Sequence, residues 1–483
     1  MYKFKTKPYD HQLNVFNDSW RRPYFGLFME MGTGKSKVAI DTMGALWEAG
    51  EIDTALIIAP KGVFDNWVQK EIPTHLPDSI ATNVVRWQPN FTKKFRAEIA
   101  SIANPEERDS NTLSVLVMNT EAFSTQKGAS AALRYIQLNP ESIVILDEST
   151  SIKNKSAQRT KNLVKVAKAA KYKRILTGSP ITKSPMDLFS QCAFLSEEAL
   201  GFKSFYGFQN RYAVIQRRTM GAHSFNEITG FQRLDELGEK LDKFSHRILK
   251  RDCLDLPEKV YQRREVPLTK EQIKLYKQMS DLALAQLEKG ELATTQSVLT
   301  QIMRLQQICC GHLQPDDRPI QEIPNNRLQE VLDITEEING KAIIWATWTY
   351  DIQRIEKALA KKFGSTAVAS YYGQTEQDER QEIVNRFQDP DSDLRFFIGQ
   401  PRTGGYGITL TEANTVIYFS NSYDLEIRLQ SEDRAHRIGQ SESVTYIDVV
   451  SPGTIDEKIL GALRDKINLA GTVLREDVTE WLS

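Results

Sequence analysis

The residues best suited to chemistry lie in one short stretch near the start of the chain. Residues 25–38 read FGLFMEMGTGKSKV, an apolar run followed by a glycine-rich turn and a Lys-Ser pair. Glycines allow backbone N–H groups to approach phosphate oxygens, and the N-terminus of a following helix offers them partial positive charge. In such a loop Lys35 reaches the β- and γ-phosphates, and the Ser36 hydroxyl can ligate Mg²⁺. The stretch therefore predicts a site for a nucleoside triphosphate.

One feature of this loop weakens the prediction, and two acids at the end of a second apolar run strengthen it. The usual phosphate-binding loop has a Gly five residues before Gly34, where this chain has Met29. For that stretch alone, a plain glycine turn beside a solvated lysine is therefore the alternative. The apolar run 143–146 ends in Asp147 and Glu148. One carboxylate can hold Mg²⁺ and the other can activate the attacking water, so the two stretches together predict ATP hydrolysis.

Further residues suited to phosphate lie late in the chain. Residues 403–408 read TGGYGI, a loop rich in N–H groups, and residues 430–440 read QSEDRAHRIGQ. Arg434 and Arg437 are three positions apart and would share one face of a helix. Arginines that a second domain brings to a γ-phosphate stabilise the charge of its transition state. The alternative is a surface helix with salt bridges, because acidic residues directly precede Arg434.

Composition narrows the class of protein. The chain has 483 residues, of which 40% are hydrophobic and 26% charged, with a net charge of −1. It is long enough for two to four domains. Its apolar runs are shorter than the roughly 20 residues of a membrane span, and residues 1–12 lack the apolar core of a secretion signal. Four cysteines without disulfide or zinc spacing complete the prediction of a cytoplasmic protein with no membrane partner.

Short apolar runs alternate with amphipathic stretches in both halves of the chain. This rhythm predicts parallel sheets covered by helices, whose ligands bind at the carboxyl ends of the strands. Between about 196 and 335 helical periodicity dominates, as in 270–287 and 295–309. A turn at 176–180, LTGSP, either senses the γ-phosphate or is a plain Gly-Pro turn. The predicted strands are 24–29, 55–59, 113–118, 143–146, 174–176, 342–346, 366–371, 395–398, 416–419 and 444–450.

Basic residues concentrate in one stretch of the first half. Residues 151–183 contain ten Lys or Arg and no Asp or Glu. Within it Lys161, Lys165 and Lys168 would share one face of a helix. A solvated helix face is the alternative. Beside the nucleotide motifs, however, the basic face of 153–174 is predicted to form part of a nucleic-acid track.

Taken in order, these blocks resemble the superfamily 2 helicase-type ATPases and, within them, the Snf2-like DNA translocases, over about residues 8–460. The Snf2-like form of the first loop lacks the first Gly, which accounts for Met29. The blocks that carry the resemblance are KPYDHQ at 7–12, MEMGTGKS at 29–36, IIAP to NW at 57–67, DEST at 147–150 with IKN at 152–154, LTGSP at 176–180, LQQIC at 305–309, GGYGI at 404–408 and RAHRIGQ at 434–440.

The resemblance implies an α/β fold of two tandem RecA-like lobes, each a parallel sheet covered by helices. It places an ATP-binding lobe at 1–250 with a helical insert at about 201–250, and a helicase lobe at 251–460 with a helical insert at about 267–325. A helical brace follows at 461–483. It further implies a monomeric motor that hydrolyses ATP with Mg²⁺ and translocates on double-stranded DNA without reading sequence. Such a minimal motor, without recognisable extra modules, suits a prokaryotic or phage protein associated with the nucleoid.

The resemblance also assigns roles residue by residue. Catalysis is assigned to Lys35, Asp147, Glu148, Arg434 and Arg437. Mg²⁺ is assigned to Ser36 and Asp147. Contacts with ATP are assigned to Gln12, Gly32, Thr33, Gly34, Lys35, Ser36, Gly405, Gly407 and Gln430. Contacts with DNA are expected from Lys153, Asn154, Lys161, Lys165, Lys168, Arg402 and Thr403.

The chain departs from the family pattern at three places. Ser149 and Thr150 stand where Ala or Gly followed by His is usual, which questions the coupling role of that position. Gln400 and Pro401 replace a usual Ser-Thr pair, which questions a phosphate contact, and residues 423–425 read YDL in place of Trp-Asn-Pro. Three alternatives to the DNA translocase remain: a strand-separating or annealing helicase, an RNA-directed ATPase, and a DNA-binding adaptor that does not hydrolyse ATP.

Overall fold

The protein divides into two compact units. The computed structural model describes residues 2–220, 223–288, 295–314, 319–404 and 408–476. Met1–Asp255 and Asn468–Asp477 group into one unit, and Leu256–Ile467 form most of the other. We call these units lobe 1 and lobe 2. Within the described ranges, no helix is both long enough and apolar enough to cross a membrane.

Lobe 1 is built on a seven-stranded parallel sheet with the order β3-β4-β2-β5-β6-β1-β9. Strands β7 and β8 pair with each other as a separate antiparallel hairpin. The strands are β1 (Tyr24–Met29), β2 (Thr54–Ala59), β3 (Thr82–Arg86), β4 (Leu113–Asn119), β5 (Ser142–Asp147), β6 (Tyr172–Leu176), β7 (Ala213–Met220), β8 (His223–Phe231) and β9 (Ser245–Ile248).

Helices cover both faces of this sheet. Along β5, Val144 and Leu146 belong to one buried cluster and Ile143 and Ile145 to another, so neither face of the strand meets water. The α-helices of lobe 1 are α1 (Asp10–Ser19), α2 (Lys35–Glu48), α3 (Phe64–Asn66), α4 (Ile72–His75), α5 (Lys93–Ala103), α6 (Gln126–Leu138), α7 (Gln158–Lys168), α8 (Asp187–Leu195), α9 (Phe205–Tyr212), α10 (Leu234–Asp242) and α11 (Lys250–Cys253). A π-helical turn, Trp67–Glu71, joins α3 to α4, and 3₁₀ turns occupy Thr120–Ser124 and Ser149–Ile152.

Lobe 2 has a second parallel sheet, of six strands in the order β10-β17-β16-β13-β15-β14. A pair of two-residue strands, β11 and β12, lies apart from it. Its strands are β10 (Lys259–Glu265), β11 (His312–Leu313), β12 (Gln321–Glu322), β13 (Lys341–Trp345), β14 (Val368–Tyr371), β15 (Phe396–Gly399), β16 (Ala413–Tyr418) and β17 (Val444–Val450).

The helices of lobe 2 bury both faces of its sheet as well. Ala342 and Ile344 of β13 belong to one buried cluster, and Ile343 and Trp345 to another. A 3₁₀ turn occupies Ser365–Ala367. The α-helices are α12 (Lys270–Glu288), α13 (Thr295–Cys310), α14 (Arg327–Glu337), α15 (Thr349–Phe363), α16 (Gln377–Gln388), α17 (Pro401–Gly404), α18 (Leu425–Glu432) and α19 (Ile455–Leu474).

The predicted fold class, two lobes with parallel sheets covered by helices, is confirmed. All ten predicted strands are present, with ends displaced by at most three residues, and α12 and α13 match the predicted helices at 270–287 and 295–309. Three outer strands, β3, β9 and β10, were not predicted. Each is only partly buried and largely polar, so it lacks the apolar run that marks a central strand.

The helical insert predicted at about 201–250 is wrong for its central part. That segment contains the β7–β8 hairpin between α9 and α10, and it ends in β9, which joins the main sheet. Residues 213–231 are rich in β-branched and aromatic side chains and have no apolar stripe of helical period. At the other end of the chain, α19 continues to Leu474 and Val473 is buried in the lobe 1 core. The helical brace at 461–483 stays a prediction, and its residues 477–483 lie outside the described ranges.

Candidate functional site

The glycine-rich loop lies between β1 and α2, as its sequence predicts. Gly32 and Gly34 have φ angles of 83° and 91°, in the left-handed region that glycine adopts without steric cost. Lys35 is the first residue of α2 and is only 8% exposed. The loop therefore ends at a helix N-terminus, where unpaired backbone N–H groups and a buried ammonium group together favour an anion.

Helix α1 supports the loop through Gln12. The buried Gln12 amide donates from Nε2 to the Thr33 carbonyl oxygen at 3.1 Å, while its Oε1 accepts from the Tyr9 N–H at 3.1 Å. His11 Nε2 lies 2.8 Å from the same Thr33 oxygen. A Cβ atom on Gly34 would lie 2.2 Å from Gln12 Nε2, which is closer than any real contact. Glycine at position 34 therefore lets the loop lie directly against the Gln12 amide without displacing it.

The predicted Mg²⁺ ligand lies at the end of a buried strand. Asp147 is the last residue of β5 and is 7% exposed. Its Oδ2 accepts from Trp67 Nε1 at 3.0 Å and its Oδ1 accepts from the Glu148 N–H at 3.0 Å. Burial raises the pKa of Asp147 above its usual range, and the charge of Lys35 opposes this shift. The charge of Lys35, at the start of α2, thus acts on the carboxylate of Asp147, at the end of β5.

Glu148 has a strained backbone. Its φ of 47° and ψ of 63° place a residue with a full side chain in the left-handed region. Such a conformation costs about 1–2 kcal/mol and is maintained only where surrounding structure imposes it. The next residues, Ser149 and Thr150, are buried and begin a 3₁₀ turn. The strain therefore lies at the residue to which the resemblance assigns water activation.

The LTGSP turn follows β6 and packs on the phosphate loop. A Cβ atom on Gly178 would lie 3.3 Å from the Met31 nitrogen, so the two loops are nearly in contact. Arg247 of β9 donates from Nη1 to the carbonyl oxygens of Phe28 at 3.2 Å and Gly178 at 2.8 Å. The ends of β1, β6 and β9 are thereby joined. No role was predicted for Arg247, because it lies on one of the unpredicted outer strands.

In lobe 2 the two predicted arginines follow a helix but do not lie on it. Helix α18 ends at Glu432, so the segment of Arg434 and Arg437 is not helical and the condition for a shared helix face is not met. Both nevertheless converge on one backbone segment. Arg434 is 1% exposed and donates to the carbonyl oxygens of Gln430 and Ile408, each at 2.9 Å. Arg437 Nη1 donates to the Ile408 oxygen at 3.4 Å and to Thr409 Oγ1 at 3.0 Å.

The alternative of a surface salt bridge beside these arginines is also wrong. Glu432 is fully buried, and it pairs with Arg428 Nε at 2.8 Å and Lys259 Nζ at 3.0 Å. Burial alone would raise the pKa of Glu432, but these two cations hold it below its usual range. Arg428 also pairs with Asp448 of β17 at 2.6 Å. This network fixes the end of α18. Because Arg434 follows two residues later, the buried acids also help to position the segment that carries Arg434 and Arg437.

The lobe 2 glycine loop is described only in part. Gly405 and Gly407 lie outside the described residues. Arg402 is exposed on the short helix α17, and Thr403 Oγ1 lies 3.4 Å from Gln400 Oε1. Gln400, one of the departures from the family pattern, also donates from Nε2 to the Thr347 carbonyl oxygen at 3.2 Å. Both polar atoms of the Gln400 side chain therefore make hydrogen bonds with neighbouring residues of lobe 2.

The predicted nucleic-acid residues fall into two groups. Lys161, Lys165 and Lys168 are exposed on α7, as expected, although Lys168 pairs with Glu197 at 2.5 Å. Asn154 is exposed, while Lys153 donates to Thr182 Oγ1 at 2.9 Å. The track predicted over 153–174 is too long. Its end, Arg174, is fully buried and donates to the carbonyl oxygens of residues 19, 20 and 173, so this cation is structural.

The donor groups suit ATP with Mg²⁺. Among the described residues, no group of three or more His, Cys, Asp or Glu side chains could hold a metal ion by itself. Mg²⁺ is commonly bound by one or two carboxylates together with substrate phosphates. The buried Asp147 carboxylate, on which the charge of Lys35 acts, and the hydroxyl of Ser36 in the first turn of α2 are oxygen ligands of the kind that such a site needs. Ser36 and Asp147 are therefore the residues that would hold the ion.

Comparison with known families decides the identity of this architecture. Residues 13–313 match the family model of the SNF2-related domain. This chain belongs to the SNF2-related family. Residues 324–439 match the helicase conserved C-terminal domain, so the two family matches follow one another along the chain.

Relatives of this SNF2-related chain come from several organisms. The SWI/SNF chromatin-remodeling complex subunit snf22 of Schizosaccharomyces pombe is 27% identical over 98% of this chain and 28% of its own length. The TATA-binding protein-associated factor MOT1 of Saccharomyces cerevisiae is 27% identical over 69% of this chain and 20% of its own length. The ATP-dependent helicase MG018 of Mycoplasma genitalium, named as uncharacterized, is 25% identical over 94% of this chain and 40% of its own length. The chain therefore spans less than half the length of each of these relatives.

A solved structure can be aligned with nearly all of the SNF2-related chain. It is the Sulfolobus solfataricus SWI2/SNF2 ATPase core in complex with dsDNA. Its sequence is 22% identical, 99% of each chain is covered, and the TM-score is 0.43.

Trp67, like Arg247, is a residue of the SNF2-related core for which the sequence predicted no role. It is almost fully buried, and its indole N–H is one of the groups that bond the Asp147 carboxylate. The stretch at 57–67 carried part of the family resemblance, but no role followed for its tryptophan. A useful signal was present, since a buried tryptophan normally has a hydrogen-bond partner for its N–H group.

Replacing Trp67 by Phe is expected to raise the Mg²⁺ concentration needed for half-maximal ATPase activity by about 10-fold, the usual effect of losing a hydrogen bond to a metal-binding residue. The aromatic bulk is kept, while Asp147 loses one of its two donors. Mg²⁺ titration of hydrolysis and direct Mn²⁺ binding would measure the change. Trp87→Phe, at another buried tryptophan of lobe 1, is the control. An unchanged metal requirement in folded Trp67→Phe would contradict the orienting role.

Proposed function

We propose that this protein hydrolyses ATP to translocate on double-stranded DNA and to remodel DNA or DNA–protein structures. The observation that carries the proposal is that Lys35, at the start of α2 after the glycine loop, and Asp147, at the end of β5, are both buried, and that the charge of Lys35 acts on the Asp147 carboxylate. Burial of both groups is costly unless they serve each other or a ligand. A glycine loop beside them, at a helix N-terminus, makes a triphosphate the ligand of best fit.

The proposed division of labour follows the chemistry of each side chain. Mg²⁺, when bound, polarises phosphate oxygens and neutralises their charge. Ser36 and Asp147 would hold the ion, Lys35 contacts the β- and γ-phosphates, and Glu148 activates the attacking water by accepting its proton. Arg434 and Arg437 stabilise the charge of the transferred phosphoryl group. The remaining nucleotide contacts are assigned to Gln12, Gly32, Thr33, Gly34, Gly405, Gly407 and Gln430.

Duplex DNA is the proposed track, and the protein is proposed to contact its backbone. The exposed Lys161 and Lys165 of α7, with Lys168, Lys153 and Asn154 nearby in sequence, supply positive and polar groups without a base-reading element. In lobe 2, Arg402 and Thr403 are proposed to make the corresponding contacts with the DNA backbone. Relatives of this chain are named as a chromatin-remodeling complex subunit and as ATP-dependent helicases, which supports a motor acting on DNA. The motor is proposed to act as a monomer.

Comparison of nucleic acids tests the proposal. ATP hydrolysis is expected to be stimulated by double-stranded DNA, more than by single-stranded DNA or RNA, and duplex affinity should fall steeply with salt because counterions are released. A triplex-displacement assay should show ATP-dependent movement, while a forked duplex should stay paired. Stimulation by RNA alone would overturn the proposal, and efficient unwinding of the fork would identify a strand-separating helicase instead.

A further inference from the structure

A buried glutamine joins the loops that follow β5 and β6. Gln191 of α8 is completely buried. Its Oε1 accepts from Ser149 Oγ at 2.7 Å, and its Nε2 donates to the carbonyl oxygens of Pro180 at 2.7 Å and Asp187 at 2.9 Å. The opposite orientation of the amide would place its oxygen against two carbonyl oxygens, so these bonds define the orientation.

The partner of this glutamine is one of the residues that depart from the family pattern. Ser149 follows Glu148 directly and stands where Ala or Gly is usual. Neither of those residues has a side-chain donor, so neither could bond Gln191. The Ser149 hydroxyl is fully buried and has the Gln191 oxygen as an acceptor. The polar contact between Ser149 and Gln191 therefore depends on the serine of this chain.

A second set of bonds runs beside the first. Lys153 donates to Thr182 Oγ1 at 2.9 Å, and Asp187 Oδ2 accepts from the N–H groups of Thr182 at 3.0 Å and Lys183 at 2.7 Å. Asp187 is itself buried at the start of α8. The segment after Glu148 and the segment after the LTGSP turn are therefore both attached to one helix. Gly178 of that turn also packs on the phosphate loop. The loops that follow β1, β5 and β6 are therefore connected to one another through these contacts.

We propose that Gln191 is a positioning residue, which holds Glu148 in register with the LTGSP turn and so couples DNA contact at 153–168 to the rate of hydrolysis. The inference rests on the proposed function. Gln191 bonds the residue next to Glu148 and the turn beside the phosphate loop, and it contacts neither reacting group itself. The hydrogen bonds are buried, so water cannot replace them when one partner moves, and a displacement of one loop is passed to the other.

The test uses Ser149→Ala, Gln191→Met and the double variant in the full chain. DNA-stimulated kcat is expected to fall about 3- to 10-fold in each single variant, the range given by loss of one or two hydrogen bonds. KM for ATP should stay within about twofold, since binding of the ground state is not involved. The double variant should be no slower than the slower single variant, because both substitutions break the same connection.

A matched control separates positioning from stability. Ser19 is also fully buried and donates to the Val15 carbonyl oxygen at 2.6 Å within α1. Ser19→Ala should lower Tm about as much as Ser149→Ala and leave DNA stimulation unchanged. If Gln191→Met does not fold, the DNA-stimulated kcat of Ser149→Ala alone tests the positioning role. Normal stimulation in folded Ser149→Ala overturns the inference alone, whereas absence of DNA-stimulated hydrolysis in the unsubstituted protein overturns the proposed function and the inference with it.

Discussion

Replacing Glu148 by Gln is expected to lower ATP turnover about 10²- to 10⁴-fold, the usual loss when a general base is removed, while ATP and DNA still bind. The amide keeps the size of the side chain but cannot accept the proton of the attacking water. The backbone at residue 148 is held by the buried 3₁₀ turn that follows, so the substitution should leave its geometry intact. Single-turnover hydrolysis and the Kd of a fluorescent ATP analogue measure the two effects separately.

The control for this prediction is Glu121→Gln. Glu121 is exposed in lobe 1 and accepts a hydrogen bond from Asn119 Nδ2 at 3.0 Å. The Glu121→Gln variant should keep normal ATP turnover and normal binding of ATP and DNA. Substantial hydrolysis by Glu148→Gln, with normal folding, would remove Glu148 from the catalytic role and leave the activation of water to another group.

Replacing Gly34 by Ala is expected to weaken ATP binding about 100-fold or more, equivalent to about 2.7 kcal/mol. Two costs add at this position. The φ of 91° disfavours any side chain by about 1–2 kcal/mol. The new Cβ would also lie 2.2 Å from Gln12 Nε2, so the Gln12 amide or the loop must move and the bond from Gln12 to the Thr33 carbonyl oxygen is disturbed. Isothermal titration with ATP and Mg²⁺ measures the loss of affinity.

Gly50→Ala isolates the backbone cost from the steric one. Gly50 lies just after α2 with a φ of 69°, and a Cβ there would have no neighbour within 4 Å. This variant should lower Tm through the left-handed backbone alone and keep normal ATP affinity. Equal ATP affinities of Gly34→Ala and Gly50→Ala would show that contact between α1 and the phosphate loop does not matter for nucleotide binding.

Both lobes use buried polar networks to position residues for which sequence patterns predict catalysis. In lobe 1, Gln12 and Trp67 act on Thr33 and Asp147, and in lobe 2 the pair Arg428–Glu432 holds the end of α18. Breaking one partner of such a buried pair is costly, because the other is left desolvated. The networks therefore favour one geometry for each loop, which is what a preorganised site requires.

Local sequence was sufficient to predict the central strands and the position of the glycine loop and of Asp147 at the strand ends, where the phosphate site is proposed. Strand β5 is buried on both faces, so its apolar run is continuous and its end at Asp147 is marked by a change to acids. The loop at 32–36 is likewise a local feature, because glycine, lysine and serine at fixed spacing have one common use. These signals depend on neighbouring positions alone, and one sequence carries them in full.

Tertiary structure alone decided which residues support the site. Trp67 lies 80 positions from Asp147, and Ser149 lies 42 positions from Gln191. Neither spacing has a local signature, because a hydrogen bond across a sheet or between a turn and a helix depends on how distant segments fold together. The same holds for Glu432 and Arg174, whose charges suggested a surface although both are buried. A charged residue can be buried only where the fold supplies partners for it. Those partners come from distant parts of the chain, so the local sequence does not show the burial.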